Sequence, residues 1–485
     1  MHIAVVAGLA YRLWLIPRYA GWEESDYGNL AMVRGVLDGH FLHYDMNHMP
    51  GYYALAAAVL ALVGDTVIAA RATSLIAGVV ALGLGVRLAE HLGGRRAAWW
   101  AGALLVLQPE FALYAASSLR EPLYAALVLG TVLSLLREHL LWAGTLAGLA
   151  FLVRMDGALA LAPVLALHAW GRGEGRARLV RVMAPLLGIV MLWALYCRMD
   201  HGTFAFWSHS VQVNVDTGLG AEAERAGSWW WAGTKVAGTL GGWVLPWRVG
   251  WGIWAGALVG LGAMFLRGQA AQRTVGLALV CLTGVWLGIG FVAQHVPSHN
   301  LYWKWLCPVV PLLVPVGVVG LLRITDRIGR VAGPLAGTLA VVLCMLQAGW
   351  SYAKETDRQR TLSEGLYRPQ LALAQRIEAQ VPESTPMILD NIPACWIRRR
   401  PNARPITSWF DVPTDGSEAE FAAWVKRNRV EYVLWFREDW TQAPRVAPFL
   451  ARGGRWTHGG VDLVETDRED GYGWIFYATE ATVAP

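Results

Sequence analysis

The feature that most constrains this chain is the length of its apolar blocks. Residues 76–86, 182–195, 274–292 and 308–322 are almost wholly apolar. Several of these blocks approach the roughly 20 residues needed to cross a bilayer. A soluble domain of ordinary composition carries about 25% charged residues, whereas here charged residues make up 16% and hydrophobic residues 55%. Such a chain needs lipid. The expected fold is therefore an α-helical polytopic membrane protein of about eleven transmembrane helices, with spans near 2–16, 66–89, 97–114, 122–136, 140–153, 157–170, 182–199, 249–266, 274–293, 305–322 and 331–350.

The first of these segments is short and contains Arg12. It is read as a span rather than a cleavable signal. Arg12 is expected to snorkel toward an interface, and a chain start placed too late would account for the shortness.

Charge placement orients the map. The connectors around 93–96, 172–181, 267–273 and 323–330 are short and basic, while 17–65, 115–121, 200–248 and 294–304 are acidic, aromatic or long. Lys and Arg in short loops mark the cytoplasmic face, and all the basic connectors fall on one side. This predicts a multi-pass protein of the plasma (inner) membrane, with a transmembrane catalytic domain over 1–350 and an extracytoplasmic domain over 351–485. The latter has the texture of a small soluble α/β domain. Helices are expected at 363–380 and 418–427, and strands at 387–389, 432–436, 462–465 and 474–477. Its only cysteine is Cys395, so it holds no internal disulfide. No basic run interleaved with aromatics suggests nucleic acid.

Ionisable groups near lipid are expensive and mark function by default. Here they gather on the outer face. Glu23-Glu24-Ser25-Asp26-Tyr27 puts three carboxylates in four positions, ahead of an expected helix over 25–37. Carboxylates are favoured at such a helix start by its dipole. The same outer loop continues to His48-Met49-Pro50-Gly51-Tyr52-Tyr53. Arg120 and Glu121 stand together in the next acidic connector, Arg154 and Asp156 between two apolar runs, and Lys304 ahead of the tenth span. Carboxylates suit general-base work, and Arg, Lys and His suit a phosphate group. Among the 26 tryptophans, the Trp229-Trp230-Trp231 run is a candidate surface for stacking on lipid or sugar.

These motifs, in this order, resemble the integral-membrane glycosyltransferases of the C-type fold. Closest in pattern are the protein O-mannosyltransferases and the aminoarabinose transferases acting on lipid A. Glu23 to Tyr27 is similar to the family's Asp-Glu-x-x-Tyr, and His48-Met49-Pro50-Gly51-Tyr52 to its His-Pro-Pro-Leu-Tyr turn. The stretch from Leu107-Gln108-Pro109 through Ser118-Leu119-Arg120-Glu121-Pro122 resembles its third span and second acidic loop. Gly148 to Arg154 resembles Gly-Leu-Ala-x-Leu-Thr-Arg, and Lys304 to Pro311 resembles Arg-Tyr-Leu-Leu-Pro-x-x-Pro. The resemblance spans about residues 10–320. Two departures stand out: Glu23 replaces the leading Asp, and Lys304 replaces an Arg, exchanging a bidentate fork for a point charge.

The resemblance implies a polyprenyl-phosphate sugar donor, an acceptor that is a lipid, glycan or protein, and an inverting transfer. It assigns catalysis to Glu23, Glu24 and Glu121. Contact with the donor phosphate or substrate falls to Tyr27, His48, Arg120, Arg154 and Lys304. No cofactor is certain, and a divalent metal is open because the family contains both kinds. A transporter or flippase of lipid-linked saccharide, and a non-catalytic assembly subunit, are the other readings.

Overall fold

The computed structural model describes residues 2–18, 24–39, 49–170, 175–201, 248–292, 307–389, 391–399, 406–409, 412, 417–436, 446–469 and 473–478. The chain forms two compact units. One comprises Met1–Arg18, Leu42–Val59 and Ala69–Arg358; the other comprises Tyr19–Phe41, Leu60–Ile68 and Gln359–Pro485.

The first unit is helical, and every expected span contains a helix. In chain order the helices up to residue 362 are α1 (His2–Leu15), α2 (Glu24–Leu37), which belongs to the second unit, α3 (Pro50–Val63), α4 (Thr66–Leu107), α5 (Pro109–Ala116), α6 (Glu121–Leu136), α7 (Leu140–Val153), α8 (Asp156–Trp170), α9 (Gly175–His201), α10 (Trp251–Arg267), α11 (Ala270–Val292), α12 (Val310–Ala332) and α13 (Pro334–Leu362). Among the described residues, Thr66–Leu107, Gly175–Met199 and Pro334–Ala379 are long and apolar enough to cross a membrane, and the pair α5–α6 passes the same test only if its two halves are counted as one span. Large apolar side chains stay exposed in stripes. Leu187, Met191, Leu195 and Met199 form one on α9, and Leu335, Leu339, Leu343 and Leu346 another on α13. A spacing of three to four residues puts each set on one face, as lipid contact requires.

Three local departures from the expected map have plain causes. The basic connector at 93–96 is a break at a single residue inside α4: Gly94 has φ 73° and ψ −170°, a conformation open to glycine and costly for other residues. The expected span 97–114 is cut after Leu107. Pro109 forces Gln108 into an extended conformation (φ −64°, ψ 119°), and the Gln108 side chain then caps α5 by accepting from the Phe111 N–H at 2.7 Å. The loop 17–65 carries α3 as well as the expected helix α2. Proline is favoured in the first turn of a helix, and Gly64 (φ 74°) ends α3 with its N–H on the Leu60 carbonyl at 2.8 Å. Tyr52 and Tyr53 are fully buried rather than interfacial. The Tyr52 hydroxyl lies 3.0 Å from the Ala70 carbonyl oxygen and 2.9 Å from Ser74 Oγ, tying α3 to α4.

Arg12 also differs from expectation. It is fully buried, with one guanidinium nitrogen donating to the Gly8 carbonyl at 3.0 Å and the cation 5.0 Å from the Phe111 ring centroid. The small residues Gly8 and Gly78 leave room for it, so the side chain stays inside instead of reaching an interface.

The second unit is built on a six-stranded mixed sheet. Its strands are β1 (Met387–Leu389), β2 (Ile406–Ser408), β3 (Tyr432–Phe436), β4 (Arg455–His458), β5 (Val461–Glu469) and β6 (Gly473–Ala478), in spatial order β2-β1-β3-β6-β5-β4. β1 pairs in parallel with β2 and β3, while β3–β6, β6–β5 and β5–β4 are antiparallel. Three helices accompany the sheet: α14 (Arg368–Gln380), α15 (Asn391–Arg398) and α16 (Glu418–Arg427). One sheet face packs Ile388, Val433 and Trp435 against Phe421 and Val425 of α16. The other packs Met387, Leu389, Tyr432 and Leu434 against Leu373 and Ile377 of α14. The alternation along β1 and β3 is what a sheet covered on both faces requires. The buried indoles of Trp409 and Trp435 donate to the Leu434 and Ala447 carbonyls at 2.8 and 3.0 Å, so neither N–H is left unpaired by burial.

Candidate active site

The α5–α6 bend builds the best-defined charged site. α5 is buried along its whole length, the chain turns through 117°, and α6 restarts at Glu121 with Pro122 in its first turn. Glu121 is 1% exposed, and the helix N-terminus favours its negative charge. Arg154 follows the last turn of α7 in an extended conformation and reaches this carboxylate. Its Nη1 donates to Glu121 Oε1 at 3.0 Å, while Nε and Nη2 donate to the two Asp156 oxygens at 3.0 and 3.4 Å. The guanidinium also lies 5.6 Å from the Tyr124 ring centroid. One buried cation is thus shared between two carboxylates, the pairing that makes a buried charge tolerable.

Arg120 stands beside this pair, its Nε 3.9 Å from Glu121 Oε1. Among the described residues, Arg120 Nη1, Glu121 Oε2 and the Tyr124 hydroxyl are buried without a hydrogen-bond partner. A cation, an anion and a hydroxyl with spare capacity at one turn are suited to a polar ligand.

A second buried network holds the other end of α5. Arg248 pairs with Glu110 and, at 3.0 Å, with Glu355 on α13. Gln108 donates to the Glu110 carboxylate. The Tyr352 hydroxyl donates to the Val249 carbonyl at 3.1 Å. Glu110, Arg248 and Glu355 are not among the residues singled out from sequence. For Glu110 and Arg248 the signal was present, since each is an ionisable residue flanked by apolar sequence, whereas Glu355 lies in the charged stretch 354–360 and nothing local sets it apart.

The structure therefore brings Glu121, Arg120 and Arg154 together. Tyr27 and the start of α2 belong to the other compact unit. There Tyr27 is buried, with its ring 6.4 Å from that of Tyr367 and 6.3 Å from that of Trp396 on α15. Glu24 is the first residue of α2. Glu23, His48, Lys304 and the Trp229-Trp230-Trp231 run lie outside the described residues. Among the described residues, no group of three or more His, Cys, Asp and Glu side chains is placed to hold a metal ion. The two carboxylates nearest each other in the charged turn, Glu121 and Asp156, are both engaged by Arg154.

The chain has the fold of the integral-membrane C-type glycosyltransferases. The crystal structure of ArnT from Cupriavidus metallidurans bound to undecaprenyl phosphate matches it with a TM-score of 0.64 at 14% identity, covering 100% of this chain and 98% of that one. The apo state of the same protein matches equally. The Archaeoglobus fulgidus oligosaccharyltransferase, in complex with Zn and sulfate, gives a TM-score of 0.52 at 13% identity over 99% of this chain and 75% of that chain. Within the class, residues 47–199 match the dolichyl-phosphate-mannose-protein mannosyltransferase family. No curated protein sequence matches the chain. Fold and family match together bear out the resemblance read from the motifs, and they support a membrane glycosyltransferase.

Proposed function

We propose that this protein transfers a sugar from a polyprenyl-phosphate donor to an acceptor at the extracytoplasmic face of the inner membrane, with inversion. The observation that carries this reading is the buried Glu121–Arg154–Asp156 turn with Arg120 beside it, set in a fold shared with a protein crystallised with undecaprenyl phosphate. In the transfer, the acceptor oxygen forms a bond to the anomeric carbon as the bond to the phosphate oxygen breaks. The acceptor proton passes to a carboxylate, and the lipid phosphate leaves with the electron pair. Glu23 is the proposed base, with Glu24 as its alternate.

Arg120, Lys304 and His48 are the cations proposed to meet the charge that grows on the leaving phosphate. The pairing within the turn refines two assignments. Arg154 has its fork committed to Glu121 and Asp156, so its proposed part is to hold Glu121. Arg120 Nη1 has no hydrogen-bond partner among the described residues, which makes Arg120 the stronger candidate for phosphate contact. Glu121 is proposed to position the acceptor through its second oxygen.

The test is transfer from radiolabelled polyprenyl-phosphate sugars in membranes holding wild type or Glu23→Gln at matched expression. A positioned general base contributes about 10²–10⁴-fold, so label should move with wild type and fall at least about a hundredfold in the variant. Equal transfer by both removes Glu23 from the mechanism. Donor binding without turnover by wild type favours an assembly subunit instead.

A further inference from the structure

Helices α3, α4, α6 and α7 line an open groove of about 560 Å³ within the first unit. Its walls are apolar, with Ile76 and Val80 on α4 facing Leu123, Leu127 and Gly130 on α6. The lining on α4 runs from Thr73 to Arg87, and on α6 and just past its end from Leu123 to Arg137. At 1.5 Å per residue each run is about 21 Å long. One leaflet accounts for about 15 Å, half of the hydrocarbon core, so the groove is long enough for a whole acyl chain. Ile76 and Val80 are themselves 61% and 48% exposed, which leaves the groove open on its lipid side.

The two ends differ in chemistry. At the Thr73 end there is no charge among the lining residues, and the Thr73 hydroxyl is satisfied by the Ala69 carbonyl at 2.8 Å. The far end is basic, with Arg87, Arg137 and His139 all on the lining and all exposed. Arg87 shares its charge with Glu90 at 3.0 Å. Arg137 makes no ion pair among the described residues. The neighbouring Glu138 carboxylate is engaged by Arg178 and by His168, the latter at 3.4 Å, so it does not neutralise Arg137. An apolar groove of acyl-chain length that ends in two guanidiniums and an imidazole matches a membrane lipid with an anionic head.

We infer that this groove is a binding site for one anionic phospholipid, its phosphate on Arg87 and Arg137 and an acyl chain along α4 and α6. The lipid belongs to the leaflet on the side of the basic connectors, where α6 ends. Anionic lipid is drawn to Lys and Arg near a membrane surface, and here the groove adds a fixed place for its tail.

Native mass spectrometry of the full chain tests this, after equilibration with equal amounts of phosphatidylglycerol and phosphatidylcholine of matched acyl chains. Wild type should retain one phosphatidylglycerol in preference to phosphatidylcholine. Arg87→Ala/Arg137→Ala should lower that preference about tenfold, while Arg87→Lys/Arg137→Lys keeps it. Gly130→Leu places a side chain in the groove beside Leu146 and should lower retention of both lipids. Circular dichroism and size-exclusion profiles matching wild type establish that each variant is folded. Equal retention of the two lipids by wild type, or an unchanged preference in the folded double alanine variant, overturns the proposal. The readout is independent of sugar transfer, so its failure leaves the glycosyltransferase reading untouched.

Discussion

At the scale of single residues, burial decides what a charge can do. Arg154 is held between Glu121 and Asp156 with little access to water, and removing one partner of such a pair costs about 3–5 kcal/mol because the other charge is left buried and unpaired. Glu121→Gln and Arg154→Met should each lower the melting temperature in detergent. The double variant should recover part of that loss, since Glu121 no longer remains as a buried unpaired charge while Asp156 still loses its cation. A thermal-shift cycle measures the coupling, and additive losses would show that the pair is not linked. Arg12 makes the opposite case. Its Nε and Nη2 are buried without hydrogen-bond partners among the described residues, and each such donor costs about 1–3 kcal/mol. Arg12→Met has similar length and no such donors, so it should melt no lower than wild type. A drop of several degrees would mean that Arg12 has a partner beyond those described.

Between elements, small residues and aromatic contacts set the geometry. α10 and α12 cross with their backbones in contact at glycines: a Cβ on Gly320 would collide with the Gly256 carbonyl, and one on Gly256 with the Gly317 carbonyl. Close approach through small residues is how helices associate where lipid supplies no hydrophobic drive between them. Gly320→Val should therefore cost more than the about 1–3 kcal/mol typical of overpacking, read as lost thermal stability and lower yield. In the second unit, Trp396 of α15 and Tyr367 clamp Tyr27 on α2, the helix whose first residue is Glu24. Trp396→Ala should lower kcat for sugar transfer with little change in donor KM, and Trp396→Phe should restore most of it. Loss of donor binding in Trp396→Ala would point to direct contact instead of positioning.

For the whole molecule, the arrangement of basic connectors predicts that the C-terminal domain over 351–485 lies on the extracytoplasmic side. A periplasm-dependent phosphatase fused after Pro485 should be active in whole cells, and a cytoplasm-dependent fluorescent reporter fused there should be dark. The reverse result would invert the topology and place the charged turn at the other membrane face.

Much of this protein was legible in one dimension. Apolar block length located every helix of the expected membrane map, because a span needs a long run of apolar side chains whatever surrounds it. The strands at 387–389 and 432–436 and the helix Glu418–Arg427 were read from periodicity for the same local reason. α3 was missed because its apolar run follows a loop motif and is shorter than a span, β2 because Ile406 is the one apolar residue in it, and α15 because eight residues cover barely two helical turns. Glu121, Arg120 and Arg154 stood out as charges among apolar residues, yet their pairing was not visible: Glu121 and Arg154 are 33 positions apart. Glu110, Arg248 and Glu355 form a network across still longer separations. The sequence by itself determined where helices lie and which charges are costly, since both follow from local composition. Only the tertiary structure decided which charges neutralise one another, and with that which cation near the bend has donors to spare, because pairing depends on distances that folding alone creates.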